Sequence, residues 1–213
     1  LAPGTPVVSC SKGIERGSCA LMPEVIAQTL PGHTIAVLSG PSFAREVALD
    51  LPCGVALACA DVGIGEELAR SISTTRFFVH PNSDIVGTAI GGVMKNVIAI
   101  ASGIAAGKKL GENARATLVT LGLAEATRLG LAKGGVADTF LGLAGIGDLA
   151  LTANSLQSRN TSLGVALGEG RKLKDILAER KQVTEGAFSA EGVMAEVNHR
   201  IRTETLGFGL AIL

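Results

Sequence analysis

Residues 84–109 read DIVGTAIGGVMKNVIAIASGIAAGKK, and between Ile85 and Gly107 the only strongly polar side chains are those of Lys95 and Asn96. Small residues and one lysine recur at every fourth position: Gly87, Gly91, Lys95, Ala99 and Gly103. On a helix this spacing places them on one face. Because each glycine in a helix interior costs about 0.5–1 kcal/mol relative to alanine, several glycines on one face indicate that something approaches the backbone closely.

Three interpretations of this helix compete. In the first, the glycines allow another helix to pack tightly while Lys95 extends outward to water. In the second, the helix spans a membrane, which is disfavoured because an ionisable residue at its centre costs about 2.5–3.5 kcal/mol. In the third, the small residues form the floor of a small-molecule site, and Lys95 is its working cation. The remainder of the chain favours the third interpretation.

The composition excludes several classes of function. The 213 residues contain 19 Lys and Arg against 19 Asp and Glu, no Trp or Tyr, and six Phe, which argues against a nucleic-acid or membrane-surface partner. Four cysteines without CxxC spacing or neighbouring histidines predict no metal site and a reducing, cytoplasmic location. The first residues contain no signal-peptide pattern and are typical of entry into the middle of a domain.

The first part of the chain alternates strand and helix patterns. Strands are predicted at Pro6–Cys10, Thr34–Leu38, Gly54–Cys59 and Arg76–His80. Helices are predicted at Ser18–Leu30, from Phe43 for a few residues, and at Ile64–Ser73. This order predicts βαβ units in a mainly parallel sheet, with ligands beyond the carboxyl ends of the strands.

The second part of the chain has only helical patterns. They cover Glu112–Lys133, Ala137–Leu143, Ser158–Gly168, Leu173–Arg180 and Ala187–His199. The apolar face of the first of these is predicted at Leu118, Leu121, Ala124 or Glu125, Leu129 and Ala132. We therefore predict a partial α/β Rossmann-type parallel sheet in residues 1–80 and an all-helical C-terminal domain in residues 81–213.

Five polar residues stand beside glycines or predicted helix caps: Lys12, Lys95, Asp148, Arg159 and Asn160. Asp148, on a glycine-flanked turn, is expected either to orient Lys95 or to accept a hydrogen bond from a substrate hydroxyl. Two neighbouring lysines favour proton transfer by the more buried one. A helix N-terminus after the cap Ser158 would bind phosphate through its free amides and a guanidinium. Each residue alone has an ordinary structural explanation, but together they suit a small phosphorylated metabolite with a carbonyl or hydroxyl carbon.

Seven motifs occur in an order that resembles one family. They are KGIE at 12–15, SGPSFAREV at 39–47, GGVMKNVIAI at 91–100, NARATL at 113–118, GLAGIGDLALT at 142–152, QSRN at 157–160 and VTEG at 183–186. From about residue 7 to residue 196 the chain resembles the soluble NAD(P)-dependent sn-glycerol-3-phosphate dehydrogenases. The resemblance implies a Rossmann domain followed by a helical domain, with reduction of dihydroxyacetone phosphate to sn-glycerol 3-phosphate for phospholipid synthesis.

The resemblance also implies roles for individual residues. Lys95 would be the proton donor in reduction and the acceptor in oxidation. The implied substrate contacts are Lys12, Gly40, Ser42, Lys95, Asp148, Ser158, Arg159 and Asn160. The implied cofactor contacts, to NAD or NADP, are Ala44, Arg159, Val183 and Glu185.

Two departures from the family pattern limit these expectations. A dinucleotide-binding half opens with a strand and GxGxxG, and the chain begins beyond that point, so the choice between NAD and NADP stays open. From Asn198 the tail ceases to resemble the family, and we expect a fragment with weak or no activity. A reductase of small keto acids and a non-catalytic paralogue acting by association remain alternatives, and a homodimer is left open.

Overall fold

The computed structural model of the protein describes residues 1–179 and 184–204. A four-stranded sheet occupies the first part, in the order β1 (Val7–Ser9), β2 (Ile35–Ser39), β3 (Cys53–Cys59) and β4 (Phe77–Asn82). Helices α1 (Met22–Thr29), α2 (Ala44–Ala48) and α3 (Val62–Ile72) connect the strands. The α/β class and the helical second part are confirmed, with strand ends within two residues of the predicted ones.

The sheet is mainly but not wholly parallel. β1 pairs with β2 and β3 pairs with β4 in parallel, whereas β2 and β3 are antiparallel, with Ser39 opposite Ala56. The connection between β2 and β3 contains only the five-residue helix α2, which is about 7.5 Å long. Five strand residues span about 16 Å, so this helix is too short to carry the chain back across the sheet, and the chain re-enters it in the opposite direction.

Helix α1 begins later than the sequence predicts. Gly17 and Cys19 have φ angles of +90° and +56°, which interrupt a helix before Leu21. The Glu24 carboxylate then accepts a hydrogen bond from the Leu21 N–H at 2.6 Å, and Pro23 fits the first turn because it has no N–H to leave unpaired. The predicted start at Ser18 is therefore wrong by one turn.

The second part is built around a long central helix. It comprises α4 (Ile85–Gly107), α5 (Glu112–Ala132), α6 (Ala137–Phe140), a π-helical turn (Leu143–Gly147), α7 (Asp148–Asn154), α8 (Arg159–Gly168), α9 (Leu173–Glu179) and α10 (Glu185–Glu204). Helix α4 packs against α5, α7, α8 and α10. Among the described residues it is the one helix that is long and apolar enough to cross a membrane. However, 83% of its most apolar stretch is buried inside the protein. It is therefore the core helix of the fold.

The glycines of α4 serve helix packing and do not form an open floor. A Cβ on Gly103 would lie 2.9 Å from the Gly164 Cα of α8, and one on Gly107 would lie 3.0 Å from the Gly168 Cα. Gly91 lies against the backbone of Ala144. The interpretation of these glycines as the floor of a ligand site is thus wrong. Lys95, however, does not extend outward as the packing interpretation required, because its side chain is only 11% exposed.

The buried face of α5 agrees with the predicted one only in part. Glu125 and Leu129 are buried as predicted, but Leu121 is 43% exposed, and the other buried residues are Gly122, Ala126 and Gly130. A Cβ on Gly122 would lie 2.7 Å from the Ile98 side chain, and Gly130 lies against the Phe140 ring. Large side chains from α4 and α6 therefore pack on glycines of α5, and glycines give no hydrophobic signal in a sequence.

We expect Gly164→Ala to destabilise the protein because the new methyl group would lie 2.9 Å from the Gly103 Cα, at a contact where two helix backbones must move apart. Overpacking of this kind costs about 1–3 kcal/mol. The midpoint and slope of urea unfolding measure the change. Gly63→Ala on α3 is the matched control, since its Cβ would make only an ordinary contact at 3.4 Å. Equal stability of the two variants would contradict this account of the α4–α8 contact.

Candidate functional site

A cavity of about 620 Å³ lies where the sheet meets the helical part. Its walls come from the segment after β1, the loop after β2 with the start of α2, the middle of α4, the end of α7 and the start of α8. The lining residues are Cys10, Lys12, Ser42, Phe43, Ala44, Arg45, Lys95, Asn96, Thr152, Gln157, Ser158, Arg159 and Asn160. The parallel pairing of β1 and β2 places both carboxyl ends at one edge of the sheet, which is where open α/β sheets bind ligands.

Lys95 and Asp148 form a buried ion pair in this cavity. The Lys95 Nζ donates a hydrogen bond to Asp148 Oδ1 at 2.6 Å, and the Asp148 side chain is 2% exposed. The Thr152 hydroxyl lies 3.4 Å from the same oxygen. Lys12 Nζ is 3.8 Å from Asp148 Oδ2. One carboxylate therefore neutralises only part of the charge of two ammonium groups. The pair of lysines leaves a net positive charge facing the cavity.

The backbone around Asp148 explains how a carboxylate reaches the middle of α4. The sequence places Asp148 on a glycine turn, but it is the first residue of α7, and the irregular backbone lies just before it at Gly145, with φ −101° and ψ −106°. Because Gly91 has no side chain, the Ala144 carbonyl rests directly on α4. A second glycine, Gly92, makes room for the aliphatic stem of Lys12.

The N-terminus of α8 forms a second polar wall. The Ser158 hydroxyl caps this helix by accepting from the Thr161 N–H at 3.2 Å, as predicted. Asn160 Nδ2 donates to Asn96 Oδ1 at 2.9 Å, and Asn160 Oδ1 accepts from the Gly186 N–H at 3.0 Å. These bonds tie α8 to α4 and α10. The amides of the first helical turn, the helix dipole and the Arg159 guanidinium together favour an anion here.

The structure brings most of the predicted site residues together. Lys12, Ser42, Ala44, Lys95, Ser158, Arg159 and Asn160 line the cavity, and Asp148 lies directly behind Lys95. Gly40 contributes backbone shape, since its φ is +150° and its carbonyl accepts from the Ser42 hydroxyl at 3.0 Å. Val183 lies outside the described residues, and Glu185 is the first residue of α10, with its side chain outside the described part.

Six lining residues were not identified from the sequence: Cys10, Phe43, Arg45, Asn96, Thr152 and Gln157. Five of them lie within the quoted motifs. Their position next to predicted site residues was the only sequence signal that could have identified them. Cys10 directly follows β1 and carries only the signal of a strand end.

The Cys53 thiol has a pKa above its ordinary value. Its Sγ donates to the Pro41 carbonyl at 3.1 Å. Burial raises the pKa of the Cys53 thiol, and the carboxylates of Glu46 and Asp148 raise it further.

Models of a known family match nearly the whole chain. The one described as "NAD-dependent glycerol-3-phosphate dehydrogenase N-terminus" matches residues 1–64, and the one for the C-terminus matches residues 84–206. The similarity therefore extends ten residues beyond the predicted limit at residue 196. Residues 205–213 lie outside the part that the structure describes.

Individual proteins agree with the family models. The chain is 52% identical over 195 residues to a glycerol-3-phosphate dehydrogenase [NAD(P)+] of Parvibaculum lavamentivorans, covering 92% of this chain and 59% of the relative. The relative from Rhodospirillum rubrum is 54% identical over 196 residues, with coverage of 92% and 56%. The chain thus spans less than two thirds of these relatives. The solved glycerol-3-phosphate dehydrogenase of Coxiella burnetii superposes with a TM-score of 0.88 at 40% identity, covering 98% of this chain and 67% of that one.

We expect Asp148→Ala to destabilise the fold by about 3–5 kcal/mol, because removing one partner of a buried pair leaves the other charge uncompensated. Here two ammonium groups, Lys95 and Lys12, would lose their carboxylate. Chemical denaturation measures the loss. Glu191→Ala is the control, since Glu191 forms an exposed pair with Arg16 at 3.9 Å, worth at most about 1 kcal/mol. A loss at Asp148 no larger than that at Glu191 would contradict the ion-pair assignment.

We expect Cys53 to react with iodoacetamide only slowly at pH 8, with a rate that still rises above pH 9, because the thiolate reacts and the pKa of Cys53 lies above its ordinary value of 9.0. Cys10, exposed at the cavity wall, reacts first. Peptide mapping by mass spectrometry separates the two sites. Labelling in urea controls for intrinsic reactivity, and native labelling of Cys53 as fast as that of Cys10 at pH 7 would refute the assignment.

Proposed function

Because the chain belongs to the family of NAD-dependent glycerol-3-phosphate dehydrogenases, we propose that it carries the substrate site of an oxidoreductase that interconverts dihydroxyacetone phosphate and sn-glycerol 3-phosphate with NAD(P)H. The observation that carries this proposal is the Lys95–Asp148 pair at 2.6 Å in a cavity whose other wall is the N-terminus of α8. The pair supplies a proton, and the helix end suits a phosphate.

In the proposed reaction, Lys95 handles the proton and a nicotinamide cofactor supplies or accepts the hydride. During reduction the carbonyl carbon gains the hydride, and its oxygen, which becomes an alkoxide, takes a proton from the Lys95 ammonium. Asp148 stabilises the charged form of Lys95 before the transfer and fixes the direction of its Nζ. In the reverse reaction the neutral amine removes the hydroxyl proton. The lysine regains its proton from water at the cavity mouth.

The substrate contacts follow from the walls of the cavity. Ser158, Arg159 and Asn160 would hold the phosphate through hydrogen bonds from the Arg159 guanidinium and from the amides of the first helical turn. Lys12 and Ser42 come early in the sequence but line the same cavity. They would contact the hydroxyl end of the substrate. Gly40 would contribute its backbone and Asp148 its charge.

The cofactor contacts belong to the same proposal. Ala44 and Arg159 line the cavity, which supports their assignment as contacts of a nicotinamide cofactor. Val183 and Glu185 are assigned by the family motif alone. Both NAD and NADP remain candidates, as the relatives are named for either.

We extend the proposal to residues 1–80 as part of a cofactor domain and residues 81–213 as a helical substrate domain. A cytoplasmic enzyme is supported by the four cysteines, which are free thiols. A homodimer also remains a proposal, for which exposed apolar side chains such as Leu131 and Leu141 offer surface.

We expect the full-length protein to oxidise NADH or NADPH with dihydroxyacetone phosphate, and Lys95→Met to reduce kcat by about 10²–10⁴-fold, the range for loss of a general acid. Steady-state absorbance at 340 nm measures both. Lys108→Met, an exposed lysine at the end of the same helix, is the matched control and should retain activity.

Two outcomes would contradict this proposal, the first its substrate and the second its mechanism. Turnover of a small keto acid in preference to dihydroxyacetone phosphate would favour the related keto-acid reductases. Full activity of Lys95→Met would remove the proton-transfer role from Lys95, even if the substrate assignment stands.

A further inference from the structure

One of the quoted motifs, NARATL at 113–118, contributes no lining residue to the cavity. It lies near the start of α5, and its arginine, Arg115, has a side chain that is only 17% exposed. A largely buried guanidinium costs free energy unless its N–H groups find acceptors. The partners of Arg115 therefore indicate the role of this motif.

The guanidinium of Arg115 joins three helices. Its Nη1 donates to both carboxylate oxygens of Glu112 on α5 at 2.9 Å, which fixes the orientation of the group. Its Nη2 donates to the Ala153 carbonyl at 3.2 Å and lies 3.5 Å from Asn154 Oδ1, both at the end of α7. Its Nε lies 3.4 Å from the Ser102 hydroxyl of α4, which itself donates to the Ala153 carbonyl at 3.2 Å. Arg115 and Ser102 therefore hold the same carbonyl.

The end of α7 is a place where such partners are needed. The last carbonyls of a helix have no partner within the helix, and a cation placed there also interacts favourably with the helix dipole. The Thr152 carbonyl accepts a hydrogen bond from the Thr161 hydroxyl at 2.6 Å, and the Ala153 carbonyl accepts those of Arg115 and Ser102. With seven residues, α7 is too short to be stable on its own, so these contacts set its position.

The position of α7 controls the ion pair in the cavity. Lys95 and Ser102 are two turns apart on α4 and therefore lie on one face of it. Lys95 contacts Asp148, the first residue of α7, and Ser102 contacts Ala153, near its end. Helix α7 thus runs in the same direction along α4 and is held at both ends. Since a helix of two turns moves as one body, a shift of its C-terminal end would move Asp148 relative to the Lys95 Nζ.

We propose that Arg115 is a positioning residue for proton transfer: by holding the C-terminal end of α7, it keeps the Asp148 carboxylate at the Lys95 ammonium. This inference rests on the proposed function for the reaction concerned. Arg115 is not among the cavity-lining residues, so it acts through α7 and not on a ligand. Its loss should therefore affect the proton-transfer step more than the binding of dihydroxyacetone phosphate.

The first test is the steady-state kinetics of Arg115→Met in the full-length protein. Methionine keeps part of the aliphatic stem and removes every N–H donor. We expect kcat for reduction of dihydroxyacetone phosphate to fall about 10- to 100-fold, with KM changed less than about threefold, since misplacing a reacting group by about 1 Å can cost about 10²-fold. Arg115→Lys keeps the charge and one donor group, so its kcat should lie between those of Arg115→Met and the wild type.

The second test reads the ion pair directly and needs no enzyme activity. Acetic anhydride reacts with the neutral amine of a lysine, and a carboxylate partner favours the charged form. We expect Lys95 in Arg115→Met to be acetylated about 3- to 10-fold faster than in the wild type at pH 8, as part of the stabilisation by an opposite charge is lost. Peptide mass spectrometry after labelling with a trace of reagent measures the rate. Lys108, exposed at the end of the same helix, is the internal reference, and its rate should not change.

Arg128→Met is the matched control. Arg128 also lies on α5 and also pairs with a glutamate three residues before it, Glu125. It is 13 residues beyond Arg115 in the sequence, which places it about 20 Å further along the helix. Its replacement should leave both kcat and the labelling of Lys95 at their wild-type values.

Wild-type kcat in Arg115→Met would overturn the proposal, as would a loss of kcat without faster labelling of Lys95 or a change confined to KM. A lower melting temperature with unchanged kcat and labelling would leave Arg115 only a structural role and overturn it too. If Arg115→Met does not fold, Arg115→Lys decides by the same two measurements, and wild-type values for both would refute the proposal. A full-length wild type that does not reduce dihydroxyacetone phosphate would overturn the proposed function, whereas faster labelling of Lys95 in Arg115→Met would still support the hold of Arg115 on the ion pair.

Discussion

An ammonium group held largely out of water on an apolar helix is the constraint on which this structure depends. Lys95 stands at the middle of α4, whose other buried side chains are almost all apolar or small. A charge in this position is destabilising unless a carboxylate meets it. Asp148 supplies that carboxylate, and the contact at 2.6 Å links α4 to α7 across 53 residues of sequence. The proposed proton donor and the packing of the helical part are thus joined in one interaction.

The glycines make that interaction possible. Gly91 lets the carbonyl before α7 rest on α4, Gly92 admits the stem of Lys12, and Gly103 admits α8. Each lacks a side chain at a place where another backbone or the stem of Lys12 approaches α4. Helix α8 then presents its N-terminus to the same cavity as Lys95. The stripe of small residues is therefore connected with function indirectly, because it sets the positions of the polar walls.

Much of the fold and site could be predicted from sequence because the signals were local. Strand and helix periodicity located nearly every element, and Ser158 was identified as a cap from its position alone. What could not be predicted depended on tertiary geometry. The antiparallel pairing of β2 with β3 follows from the length of α2, and the buried face of α5 follows from large side chains packed on Gly122 and Gly130. Arg45 was missed because nothing local distinguishes a cavity-lining arginine from a solvated one.

A crystal structure of the full-length protein with sn-glycerol 3-phosphate and oxidised cofactor tests the central claim most directly. The account predicts that Lys95 Nζ lies about 2.6–3.2 Å from the oxygen on the second carbon, the distance required for proton transfer. It also predicts the substrate phosphate at the first residues of α8, beside Arg159. A substrate bound in the reverse direction, or a Lys95 Nζ that contacts only Asp148 and lies far from the reacting carbon, would contradict it.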